Sequence, residues 1–105
     1  MSTKIFQKIF ILLLTSILTT TLFAGTIKGQ KLYLRELKTT CGFNSAIMSQ
    51  KHTQAEWKKF FDAGKLLEEI QTLCPKVEKL KTKDLKHLYF FFYEFANDSG
   101  KTPNC

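Results

Sequence analysis

The sequence predicts a small all-α domain of about four helices, held by at least one disulfide. Three observations carry that expectation. Apolar residues recur at helical spacing in several segments, and no run makes a convincing strand. Thr53-Gln-Ala-Glu56 is a capping box, in which a hydroxyl and a carboxylate each satisfy a backbone N–H at a helix start. Finally, Cys41, Cys74 and Cys105 all follow an N-terminal segment that reads as an export signal, and exported thiols meet an oxidising compartment.

That segment covers residues 1–24. Lys4 and Lys8 supply its positive start, Ile9 to Phe23 its apolar core, and Ala24 a small residue for cleavage. Leu22 is larger than the residue preferred near such a site, which leaves an uncleaved anchor as the alternative. Cleavage after Ala24 gives a periplasmic or secreted chain of 81 residues, 25–105, with a net charge near +5. One domain of this size has a modest core and benefits from a covalent staple. Three single-bridge pairings are open to the three cysteines.

The first helix is expected from Gly29 to about Thr39, with Leu32, Tyr33, Leu34 and Leu37 apolar and Lys31, Arg35 and Lys38 charged. A loop follows from Cys41 to about His52, with room for a short helix around Ile47 and Met48. From the capping box a second helix carries Trp57, Phe60 and Phe61 on one face, and Gly64 reads as its stop. The third runs from about Lys65 to Cys74, turning Leu66, Leu67, Ile70 and Leu73 inward, and Pro75 prevents its continuation. A lysine-rich connector spans Pro75 to Lys83. The last helix runs from about Lys83 to Asn97 on a stripe of Leu85, Leu88, Tyr89, Phe92 and Ala96, which Phe90, Phe91, Tyr93 and Phe95 widen. The tail from Asp98 carries turn residues at Ser99-Gly100 and Pro103 and is expected to fold back.

Gly29-Gln-Lys-Leu32-Tyr33, followed by Leu37-Lys-Thr-Thr40-Cys41-Gly42, resembles the entry to the haem-binding loop of a class I c-type cytochrome. The helix order, the His52 to Trp57 segment and the aromatic last helix are similar to that family too. The resemblance implies a cytochrome c-like fold and a place in an electron-transfer system. It also places the two haem-attaching thiols at Leu37 and Thr40 and the axial histidine at Cys41. None of these matches, so nothing is carried over as haem-attaching. The connector before the last helix, where the second ligand commonly lies, contains neither Met nor His.

The expectation is therefore a non-catalytic module without a cofactor, acting by binding a protein partner, acidic by complement to the basic chain, or as an accessory in a redox system. One alternative is a haem-binding carrier ligated through a Cys41 thiolate, with His52, Met48 or His87 opposite. Another is an exported, disulfide-stapled interaction protein unrelated to cytochromes, whose first and last helices would not cross. No two cysteines or histidines have zinc-site spacing, and no cysteine begins a helix as an activated thiolate does. No catalytic residue is expected. Lys76, Lys79, Lys81, Lys83 and Lys86 sit beside the aromatic run Tyr89 to Tyr93, but an exported chain rarely meets nucleic acid. The cluster reads as a solvated connector, or as attraction to a partner or to an anionic membrane surface.

Overall fold

The computed structural model describes residues 26–103. Residues 1–24, where the sequence leads one to expect an export signal, and Cys105 lie outside the described residues. Among the described residues there are five helices and no strand: α1 over 26–41, α2 Ser45–Ser49, α3 Gln54–Asp62, α4 Leu66–Leu73 and α5 Thr82–Glu94. The expected count of four was one short, because the loop after Cys41 contains α2. Asn44 caps that helix by accepting the Ile47 N–H on its side chain at 2.9 Å.

α1 is longer than its apolar pattern suggested and is not regular throughout. Tyr33–Leu37 forms a π-helical turn, with the Lys38 N–H donating to the Tyr33 carbonyl. At about 100° per residue, a regular helix would carry Glu36 and Thr40 round beneath Gly29. The extra residue of the π turn rotates the remainder back by roughly 100°. Leu37, 1% exposed, takes the inward place instead of Glu36, and Cys41 comes into phase below it. Gly42, at φ +80°, then closes the helix by donating to the Lys38 carbonyl at 2.9 Å.

α3 starts and stops on local chemistry. The Thr53 hydroxyl accepts from the Glu56 N–H at 3.1 Å, and Glu56 accepts from the Thr53 N–H at 2.9 Å. At the other end Gly64, at φ +70°, reverses the chain. The Gly64 N–H reaches the Phe61 carbonyl and the Lys65 N–H the Phe60 carbonyl, the paired bonds of a Schellman stop.

α5 is the central element, packing on α2, α3 and α4. It ends at Glu94 rather than near Asn97, because Asn97 is used elsewhere: its N–H donates to the His52 carbonyl at 3.1 Å. Asp98 likewise accepts the Gln54 N–H, which folds the tail back over the start of α3. Phe92 lies between Trp57, at a ring separation of 4.7 Å, and Tyr33, edge-on at 6.3 Å. All three rings are wholly buried. Trp57 also donates its indole N–H to the Ser49 carbonyl at 2.8 Å, tying α3 to α2.

α1 meets α5 at Gly29. A Cβ placed there would lie 2.2 Å from the His87 carbonyl oxygen and 2.8 Å from the Phe91 Cβ. The two helix backbones are in direct contact, and only a residue without a side chain permits it.

Candidate functional site: the cleft beside the disulfide

The residues at the haem-attachment positions of the resemblance come together at one end of the molecule. Leu37 points into the core, Thr40 is half-buried, and Cys41 is bonded to Cys74 with their Cα atoms 5.2 Å apart. Of the three pairings open to the sequence, this one joins the end of α1 to the end of α4. Cys74 is nearly inaccessible at 2% exposure, while Cys41 is half-buried. The Cys74 N–H donates to the Ile70 carbonyl at 2.8 Å, so the Cys74 backbone is held by α4 itself.

Two adjoining clefts open beside the bridge. The first, of about 260 Å³, lies between Thr39 to Gly42 and Leu73 to Lys76. The second, of about 320 Å³, lies between Glu36, Leu37 and Thr40 on one side and the segment Lys76 to Leu80 on the other. Thr40 and Lys76 line both, so they form one open trough. Its outer wall is the lysine-rich connector. Val77, 7% exposed, plugs that connector into the core, and the Gln71 side-chain amide donates to the Glu78 carbonyl at 2.6 Å. Lys76 and Lys79 stand exposed along the rim, with Glu78 between them.

The other candidate residues are employed elsewhere. His52 Nε2 lies 3.2 Å from Glu69 and its Nδ1 3.7 Å from Glu56, with the ring edge-on to Trp57 at 4.9 Å. It joins the starts of α3 and α4 and reads as a structural latch. Met48 is wholly buried on α2. His87 sits on α5, where its backbone carbonyl faces Gly29, and its Nδ1 is buried without a hydrogen-bond partner among the described residues. Tyr33 donates to the Phe43 carbonyl at 2.8 Å, pinning the loop after Gly42. Burial lifts that phenol well above its ordinary range.

This chemistry does not fit a haem. Leu37 and Thr40 offer no thiol, and Cys41, as a disulfide sulfur, offers no thiolate to iron. Trp57, Tyr33 and Phe92 fill the interior into which Leu37 projects. No protein-family model, curated protein or solved structure matches the chain. Among the described residues, no three His, Cys, Asp or Glu side chains gather where they could hold a metal ion. What the trough offers is a shallow surface with backbone, threonine and lysine groups at its edges.

Sequence reasoning named Cys41 and Cys74 but missed Val77 and Gln71, which shape the outer wall. Val77 is the one apolar residue between Pro75 and Leu80, and that isolation is the signal that could have found it.

Proposed function

We propose that this chain is a periplasmic, non-catalytic binding module on a cytochrome c-like scaffold that has lost covalent haem, serving a redox or electron-transfer system. The observation that carries the reading is the contrast between retained framework and replaced chemistry. Gly29, the first residue of the Gly-x-x-Leu-Tyr motif, is where the first and last helices touch, and Leu32 and Tyr33 are buried beside it. The position that would carry the axial ligand instead holds one half of a staple between α1 and α4. Meeting of the first and last helices also weighs against a disulfide-stapled protein of unrelated design.

A protein partner would seat on the trough beside the bridge. The net positive charge of the chain would steer an acidic partner toward it by long-range attraction, and the rim, with Lys76 and Lys79 beside Glu36 and Glu78, offers that partner groups of both signs. The test is the absorption spectrum of protein expressed in a haem-competent periplasm. The expected result is no Soret band, and no spectral change on Cys41→Ala. A band co-purifying at one haem per chain overturns the reading.

A further inference from the structure

The face of α1 that turns away from the core has a composition the trough does not explain. Gly29, Leu32, Tyr33 and Leu37 are buried against the rest of the domain, while Ile27 and Leu34 remain 37% and 46% exposed. They are seven residues apart, about 10 Å along one side of the helix. Lys31 lies between them, and Lys28, Arg35 and Lys38 flank them, all exposed. Arg35 is paired with Glu36 at 2.9 Å, but Lys28, Lys31 and Lys38 make no ion pair among the described residues.

We propose that this face is a docking surface for an anionic lipid membrane. Two apolar side chains in line would enter the boundary between headgroups and acyl chains. The lysines on either side would spread their ammonium groups among lipid phosphates, their aliphatic stems lying against the apolar layer. A convex strip of apolar residues edged by long cationic side chains suits a plane of negative charge better than a folded partner, which needs a surface that packs against it. The trough, with its walls and mixed charges, is the better protein site. No helix among the described residues is long and apolar enough to cross a membrane. The inference rests on export as read above, and the sequence places the apolar run Ile9 to Phe23 directly before α1. An exported chain would therefore bring this helix out beside lipid, where basic residues on an amphipathic helix are attracted to anionic headgroups.

The experiment is lysine acetylation footprinting of the full chain purified from an exporting host, with its N-terminus read by intact mass. Protein is mixed with vesicles of phosphatidylglycerol and phosphatidylcholine, or of phosphatidylcholine alone, at low salt. Labelling of Lys28, Lys31 and Lys38 is expected to fall several-fold only on the anionic vesicles, with Lys58, Lys59 and Lys79 little changed. The protection should disappear at high salt as the surface charge is screened. Leu34→Ser, at an exposed position the core does not use, is expected to lower partition onto those vesicles about tenfold. Equal labelling on both vesicles, protection centred on Lys76 and Lys79, or an unchanged Leu34→Ser overturns the proposal. So does protection of the α1 lysines by polyglutamate in solution without protection by lipid, which would identify an acidic polypeptide instead. None of these outcomes bears on the haem spectrum, so the two readings fail separately.

Discussion

Replacing Gly29 with alanine puts the meeting of α1 and α5 to the test. On an isolated helix the change is favourable, because alanine exceeds glycine in helix propensity by about 1 kcal/mol. Here the new methyl would lie 2.2 Å from the His87 carbonyl oxygen and 2.9 Å from its carbonyl carbon. An unstrained carbon–oxygen contact is about 3.3 Å, so the shortfall is roughly an ångström. The obstructing atoms are backbone inside a helix and cannot swing aside. α1 must move off α5, loosening the packing of Leu32, Tyr33 and Phe91, all buried nearby. Overpacking of this kind costs about 3 kcal/mol at the upper end of its usual range. Set against the propensity gain, the net loss is about 2 kcal/mol, which lowers the Tm of a domain this small by about 8–16 °C.

The assay is thermal and urea unfolding by circular dichroism with the disulfide intact, beside Lys28→Ala as a control on the exposed face of the same helix. The control should change stability by less than about 0.5 kcal/mol. A Gly29→Ala variant as stable as the parent, or more stable, would show propensity acting alone. It would refute the backbone contact, and with it the strongest support for the proposed scaffold.

Two further outcomes follow from the same geometry. Cys41 and Cys74 are 33 residues apart, so breaking their bridge by reduction or by Cys41→Ala with Cys74→Ala should cost about 3–4 kcal/mol by loop entropy. Urea midpoints with and without reductant measure this, and a shift under about 1 kcal/mol would mean the staple is dispensable. Alkaline stability should depend on Tyr33, whose phenol is held neutral by burial, above its ordinary value of 10.0. A raised folded value means that the contribution is complete below about pH 10 and is lost as the pH rises beyond it. Tyr33→Phe should therefore cost about 1 kcal/mol at neutral pH, through the lost donation to Phe43, yet flatten the decline above about pH 10. An unchanged alkaline slope in that variant would contradict the assignment.

What could be read in the sequence was what depends on neighbours along the chain. Thr53 and Glu56 announce the start of α3 because both halves of the capping box lie within one turn. Gly64 marks its end because the reversal needs a positive φ at that residue. The inward side of α4 was equally plain, with Leu66 and Ile70 falling in register and both buried. α2 was harder, since five residues are too few to display a period and only Asn44 marks the cap. The end of α5 was placed too late because its apolar pattern continues past Glu94 to Ala96. The chain leaves the helix there to spend the Asn97 N–H on His52, 45 residues earlier in sequence, a distance no local pattern encodes.

The candidate site was hidden for a related reason. Its residues are identifiable one by one, but the device that brings them together is the π turn of α1. A regular helix would set Cys41 about 120° away from the side on which Gly29 lies, and Thr40 would be aligned with it instead. The turn from Tyr33 to Leu37 exchanges these places, seating Leu37 in the core and leaving charged Glu36 outside with Arg35. The same rotation delivers Cys41 toward Cys74. Burial of a leucine in place of a glutamate and formation of the bridge thus favour one register together. Nothing in the order Glu36-Leu37 or Thr40-Cys41 says which member faces inward; α4 and α5 decide it. The trough therefore owes its floor to a tertiary choice of register, made where the sequence most resembles a haem-attachment loop.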